Sequence, residues 1–198
     1  MRLTLPCALL LVVAPVASAQ DEEAAVASTA QDLGINDVRT AAMGRAQIAL
    51  TRMQGLNGDQ LQARAKDQAA KIIDPELNWD QSTEIVRTMM SRLSPAMQVV
   101  KAPASDAKCK VRAAYVVGAS YPIHLCPAFF SSSKEEKTRT LLHESAHLAR
   151  INANVEGESY APIFECSPAQ PLGFNNADAW AMFINCASDQ PEDPKERP

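Results

Sequence analysis

Apolar residues recur three or four positions apart through much of the first half of the chain, which is the spacing of one face of an α-helix. The pattern covers residues 37–100. It breaks at residues 57–59, Asn-Gly-Asp, and again at Asp74-Pro75, because the residue before a proline avoids the helical region. The pattern therefore predicts three helices, the second of them over residues 60–73.

The third helix has two candidate N-caps, and the sequence changes character after it. Asp80 and Ser82 can each accept a hydrogen bond from an amide of the first turn, and Pro95 ends the helical pattern. Residues 110–117 and 121–126 are then rich in β-branched and aromatic side chains, with Gly-Ala-Ser between them. This pattern predicts a hairpin or two neighbouring strands.

Two more helices are predicted in the second half of the chain. Ser133 and Glu136 form the S-x-x-E pattern of a capping box, which predicts a helix over residues 134–149. A last apolar helix is predicted over residues 177–186. Together these elements predict an α+β fold that is mainly helical, with a small antiparallel or mixed sheet.

Length and composition predict one domain, residues 37–187, in a chain of 198 residues. A flexible polar segment, residues 20–36, precedes it, and a charged, proline-rich tail predicted to be disordered, residues 188–198, follows it. The formal net charge is −4 and no basic stripe is present, which argues against nucleic acid as a partner. We expect a monomer.

The N-terminus has the pattern of a secretory signal peptide over residues 1–19. Arg2 is followed by an apolar run, residues 3–16, and then by the small residues Ala17-Ser18-Ala19. The alternatives are an N-terminal anchor and a buried first helix. The run is too short to span a bilayer, so after signal removal we expect no stable membrane insertion and a secreted or periplasmic protein.

Four cysteines remain once the signal peptide, with Cys7, is removed. An even number in an exported protein predicts two disulfides, and four cysteines allow three pairings. We favour the two local loops, Cys109–Cys126 and Cys166–Cys186. A zinc site made of all four cysteines is the alternative, but the sequence contains no CxxC pair to support it.

The main chemical signal is the segment His143-Glu144-Ser145-Ala146-His147 on the predicted helix 134–149. Histidines four residues apart point to the same side of a helix and can share one metal ion. A bound zinc ion lowers the pKa of a coordinated water, and Glu144 is placed to take the proton as general base. The segment therefore predicts a site for one zinc ion; the alternative is a chance HExxH on a structural helix.

A catalytic zinc site needs a third protein ligand, and no histidine follows His147. Glu156 and Glu158 are the nearest candidates, and one of them at most is expected to bind the metal. His124 lies on a predicted strand and is expected to face solvent or the cleft. That strand segment precedes the helix, and an edge strand beside the metal could hold a substrate backbone.

Three blocks of the sequence resemble a known family. They are residues 123–130 (IHLCPAFF), 140–148 (TLLHESAHL) and 176–183 (NADAWAMF). In order and spacing they resemble the deuterolysin and peptidyl-lysine metalloendopeptidase family, the aspzincins. The resemblance covers about residues 110–186 and implies a zincin-like fold with an HExxH active-site helix.

The resemblance also implies roles for individual residues. His143 and His147 match the family's zinc-binding histidines, and Glu144 matches its general base. The family's third ligand is an aspartate in a Gly-Thr-x-Asp-x-x-Tyr segment, whose counterpart here, residues 154–160, has Gly157 at the aspartate position. Glu158 is our preferred replacement and Glu156 the alternative.

Two further residues are assigned through the resemblance. Tyr160 matches a tyrosine that stabilises the oxyanion; packing on the helix is its alternative role. Asp178 matches an aspartate near the pocket for a lysine side chain, and capping of its own helix is the alternative. The family's second acid, three residues on, is replaced here by Ala181, so strict lysine specificity is not expected.

These features predict a secreted zinc metalloendopeptidase that hydrolyses peptide bonds with zinc-activated water, Glu144 acting as general base. The expected cofactor is one Zn²⁺ per chain, and the expected partner is a protein or peptide substrate. The change at the third ligand motivates one alternative, a catalytically inactive zincin-like secreted module that binds or inhibits other proteins.

Overall fold

The computed structural model describes residues 28–30, 33–151 and 166–188, which form six helices and a four-stranded sheet. The helices are α1 (Asn36–Met53), α2 (Asp59–Ile72), α3 (Trp79–Arg92), α4 (Pro127–Ser131), α5 (Lys134–Leu148) and α6 (Ala177–Ser188). The strands are β1 (Ser28–Thr29), β2 (Gln98–Lys101), β3 (Ala114–Val117) and β4 (Ser120–Leu125), and a 3₁₀ turn spans Ala107–Lys110. The predicted α+β class, mainly helical with a small sheet, is confirmed.

Helix α6 lies at the centre of the helical layer. Ten of its 12 residues are buried, including Trp180 and Phe183, and it packs against α1, α2 and α5. A helix that is apolar on all sides is stable only when neighbours surround it, and this explains the position of α6. Asp178 is buried in its first turn, so a carboxylate is placed inside an otherwise apolar helix layer.

Helix α5 begins with the predicted capping box, which is confirmed. The backbone N–H of Ser133 donates to Glu136 Oε2 at 2.8 Å, and the N–H of Glu136 donates to Ser133 Oγ at 3.2 Å. The helix buries Leu141, Leu142 and Leu148 and contacts α1, α3, α6 and strand β3. Its position is therefore fixed from both the helical layer and the sheet.

The sheet is mixed, with the strand order β1-β2-β4-β3. Strands β2 and β4 pair in parallel, whereas the β1–β2 and β3–β4 pairs are antiparallel. The predicted hairpin is β3–β4, and Gly118 turns the chain between these strands at a φ of 65°, which glycine adopts without strain. Strand β3 lies at one edge of the sheet and contacts α5.

Several elements differ from the prediction. Asn78 caps α3, instead of Asp80 or Ser82, and its side chain accepts the backbone N–H of Gln81 at 3.0 Å. Residues 98–100, at the end of the stretch predicted to be helical, belong instead to strand β2, which pairs with β1 and β4. Helix α4 was not predicted, although a proline at its first position favours a helix start. Part of the segment predicted to be flexible forms β1, which pairs with β2.

Both predicted disulfides are confirmed. Cys109–Cys126 joins the 3₁₀ turn to the end of β4, and Cys166–Cys186 joins the chain before α6 to the end of that helix. Loops of about this length give a disulfide a stabilising effect of about 3 kcal/mol through the unfolded state. Two disulfides are typical of a protein that folds in an oxidising compartment.

The predicted signal peptide and the tail beyond Ser188 lie outside the described residues. Within the described ranges, none of the helices combines the length and the apolar character that crossing a bilayer requires.

Candidate metal centre

The two histidines of α5 converge on one point. His143 and His147 are one helical turn apart, and their Nε2 atoms are 3.0 Å from each other. His143 is 6% exposed and His147 is half-buried. Two nitrogens bound to one tetrahedral zinc at 2.0–2.1 Å would lie about 3.3 Å apart, so only a small adjustment is needed for them to share the ion.

His143 is oriented by Asp178 from the neighbouring helix. The Nδ1 atom of His143 is 2.8 Å from Asp178 Oδ1, and both side chains are buried. Asn176 caps α6 by accepting the N–H of Ala179 at 3.2 Å. Capping was the alternative role considered for Asp178, and Asn176 fills it instead. Asp178 is thus left to face α5, and the positive end of the α6 dipole favours its negative charge.

His147 is oriented by the chain reversal that ends α5. Arg150 has a φ of 70°, and the N–H groups of Arg150 and Ile151 donate to the carbonyl groups of His147 and Ala146. These bonds form a Schellman motif, which turns the chain back along the helix. The carbonyl oxygen of Ile151 consequently lies 2.9 Å from His147 Nδ1.

These two contacts determine the tautomer of each ring. A carbonyl oxygen or a carboxylate can only accept a hydrogen bond, so the Nδ1 atoms of both histidines carry the proton. In a neutral ring the Nε2 atom then has an unshared electron pair. The two Nε2 atoms, 3.0 Å apart, place two such nitrogen donors at one point. The donor set therefore fits zinc, for which imidazole nitrogen is a preferred ligand.

A cleft of about 270 Å³ opens beside His143. Glu144, which is 3% exposed, lines it together with His143 and Asp178. Ala114, the first residue of edge strand β3, and Ala113, just before it, form part of the wall. A buried glutamate, one histidine of the helical pair and a strand edge are therefore brought to the same cleft.

Two arginines that the sequence analysis did not single out also line this cleft, namely Arg112 and Arg139. The Nη2 atom of Arg139 is 3.7 Å from Asp178 Oδ2. Burial lowers the pKa of the Arg139 guanidinium, and the charges of Asp178 and Glu136 act in the opposite direction. Arg139 lies four residues before His143 on α5, so helical spacing could have identified it.

The remaining predicted residues lie on strand β4 or outside the described residues. His124 lies on β4 and stacks on Tyr115, with ring centroids 4.5 Å apart. Glu156, Glu158 and Tyr160 lie outside the described residues. Within the described ranges, no group of three histidine, cysteine or acidic side chains is arranged to hold a metal ion.

The chain is thus an α+β protein in which helix α5 carries two histidines with fixed ring orientations. A buried glutamate lies next to the first of them and lines a cleft. The sequence matches the aspzincin family, described as lysine-specific metallo-endopeptidase, over residues 79–185, from α3 through most of α6. The chain belongs to this family, and the resemblance of the three sequence blocks is confirmed. The family implies a zinc-dependent metallopeptidase. No curated protein and no solved structure matches the chain.

Proposed function

We propose that this protein is a secreted or periplasmic zinc metalloendopeptidase with a zincin-like fold and α5 as its active-site helix. The observation that carries the proposal is the His143–His147 pair, whose Nε2 atoms converge at 3.0 Å beside buried Glu144. Asp178 and the carbonyl of Ile151 hold the two Nδ1 atoms, and these contacts orient both rings so that their Nε2 atoms point to one place. Family membership supports the same activity.

His143 and His147 would hold the zinc ion together with a third ligand, for which we propose Glu158, with Glu156 as the alternative. When bound, zinc supplies a Lewis acid that polarises a carbonyl group and lowers the pKa of water. Glu144 takes a proton from the attacking water and transfers it to the leaving amine. Tyr160 donates a hydrogen bond to the oxygen that becomes negatively charged.

The substrate backbone has a natural place beside β3. Ala114, the first residue of this edge strand, and Ala113 just before it line the cleft, and within the described part of the chain β3 pairs only with β4. An extended peptide could add to such an edge through main-chain hydrogen bonds. Its scissile carbonyl would then lie across the mouth of the cleft that Glu144 lines.

The proposal is tested by metal analysis of the mature protein, with casein cleavage measured on the same samples. We expect one zinc per chain and cleavage that a chelator abolishes and added zinc restores. Glu158→Ala should lose both, whereas Glu156→Ala should keep both; the reverse result would make Glu156 the ligand. One zinc without cleavage would instead support an inactive zincin-like binding or inhibitor module, and absence of zinc would contradict the proposal.

Asp178→Asn should weaken zinc binding about 10–100-fold, which is the usual effect of altering a hydrogen-bond partner of a metal-bound histidine. The substitution keeps the size of the side chain but removes the charge that holds His143 Nδ1 at 2.8 Å. Zinc affinity is measured by competition with a chromogenic chelator. Asp67→Asn on the exposed face of α2 is the control, and equal affinities for the two variants would contradict an orienting role for Asp178.

A further inference from the structure

The buried carboxylate of Asp178 contacts helix α5 through both of its oxygens. Oδ1 lies 2.8 Å from His143 Nδ1, and Oδ2 lies 3.7 Å from Arg139 Nη2. A carboxylate that is removed from water needs hydrogen bonds and a compensating charge to remain stable. An imidazole that binds a metal is neutral, so His143 gives Asp178 a hydrogen bond but no charge. Arg139 supplies a positive charge.

The two partners of Asp178 are one turn apart on α5. Arg139 precedes His143 by four residues, and side chains with this spacing lie on the same face of a helix. Asp178, in the first turn of α6, therefore meets both of them with one carboxylate. Attraction at Oδ2 limits rotation of the carboxylate, which a single contact at Oδ1 would leave freer to turn. The direction of the bond to His143 Nδ1 is fixed as a result.

The contact between Arg139 and Asp178 acts mainly through charge, because 3.7 Å is too long for a hydrogen bond. Arg139 is half-buried and Asp178 is buried, so less water screens this pair than screens an exposed one. Burial lowers the pKa of the guanidinium, but an arginine side chain remains protonated in proteins. The positive charge is therefore present whenever the metal centre forms.

We propose that Arg139 is a positioning residue of the metal centre, which holds the Asp178 carboxylate against His143 Nδ1 and thereby keeps His143 Nε2 directed to the zinc site. The proposal deepens the function proposed above and rests on its zinc site, not on peptide cleavage. Hydrogen-bond partners of a metal-bound histidine set its orientation and its basicity. Arg139 extends this chain of contacts by one residue.

The first experiment measures zinc affinity by competition with a chromogenic chelator. Arg139→Gln removes the charge and should weaken zinc binding several-fold, less than the change of about 10–100-fold expected for Asp178→Asn. Arg139→Lys keeps a positive charge and should recover part of the loss, although an ammonium lacks the planar fork of a guanidinium. Wild-type affinity in Arg139→Gln overturns the proposal, and so does a lysine variant as weak as the glutamine variant.

The matched control is an arginine that pairs with α5 at another position. Arg45 of α1 donates to both carboxylate oxygens of Glu135 at 2.5 and 2.7 Å. Arg45→Gln therefore removes a charge contact of the same helix without changing the partners of Asp178, and it should keep wild-type zinc affinity. Equal weakening in Arg45→Gln and Arg139→Gln would assign the effect to a general loosening of α5 and overturn the proposal.

A double-mutant cycle tests whether Arg139 acts through Asp178. Substitutions of residues that belong to one chain of contacts have non-additive effects. Arg139→Gln should therefore weaken zinc binding less in the Asp178→Asn protein than in the wild type. Equal effects in the two proteins would mean that Arg139 acts by another route, which contradicts its assignment as a positioning residue.

The metal-free protein separates failure of this proposal from failure of the peptidase function. Long-range proton–nitrogen correlation spectra show which ring nitrogen of His143 carries the proton and how fast that proton exchanges with water. We expect a slowly exchanging Nδ1 proton in the wild type and faster exchange in Arg139→Gln, with Arg139→Lys between them. Such a difference supports the proposal even if the protein cleaves no peptide. Identical spectra overturn it, whether or not the protein proves to be a peptidase.

Discussion

Replacement of His143 or His147 with alanine should leave the purified protein without stoichiometric zinc and reduce peptide cleavage to background. Each variant removes one of the two Nε2 atoms that lie 3.0 Å apart, and a single imidazole with one carboxylate is a poor zinc site. The loss should exceed the change of about 10–100-fold that is typical when only a hydrogen-bond partner of a ligand is removed. Zinc per chain is measured by plasma mass spectrometry after dialysis.

The remaining histidine provides the control for this experiment. His124 stacks on Tyr115 in the sheet, so His124→Ala should retain one zinc per chain and its cleavage activity. The apo forms of the variants should show the same circular dichroism as the apo wild type, which separates loss of metal from loss of fold. Retention of a full equivalent of zinc by His143→Ala would place the metal elsewhere in the chain.

The elements that the sequence predicted well depend on local information. The capping box of α5 needs only Ser133 and Glu136, and both of its hydrogen bonds form. Helix α2 and the β3–β4 hairpin likewise follow from apolar spacing and short breaks. The start of α3 was misplaced because three polar residues, Asn78, Asp80 and Ser82, all suit an N-cap, and their residue types alone do not distinguish them.

Strands β1 and β2 were missed because their stability comes from distant partners. Strand β2 pairs with β4, and Val99 and Val100 face Ile123 and His124 more than 20 residues away. The four residues of β2, Gln98–Lys101, do not alternate between apolar and polar side chains, which is the pattern by which a half-buried strand is recognised in sequence. Strand β1 has only two residues and pairs with β2, so nothing local predicts it.

The same distinction between local and distant contacts explains which features of the candidate site were predicted from the sequence. The spacing of His143 and His147 is a property of one helix and was found directly. The contact of His143 with Asp178 joins residues 35 positions apart and depends on how α5 packs on α6. The carbonyl of Ile151 is placed by a left-handed residue, Arg150, and without a glycine there the sequence carries no signal for the turn.

Glu144→Gln should lower kcat for peptide cleavage by about 10²–10⁴-fold, the range for loss of a general acid–base group, with zinc content unchanged. The amide keeps the shape of the side chain, which is 3% exposed, so neither fold nor metal binding should suffer. Glutamine cannot take a proton from water at neutral pH, and the step that generates the nucleophile is therefore lost.

The measurement is single-turnover cleavage of a fluorogenic peptide by protein of known zinc content. The matched control is Glu84→Gln, whose side chain is exposed on α3.

The cleavage rate and the zinc content of each variant together distinguish the possible roles of Glu144. Loss of rate with unchanged zinc assigns it to proton transfer, because a ligand or a packing residue would lose zinc or stability as well. Wild-type rates in zinc-loaded Glu144→Gln would require another base at the cleft. A wild-type protein as slow as the variant, with zinc bound to both, would favour the inactive binding module, since the family's aspartate position is Gly157 here.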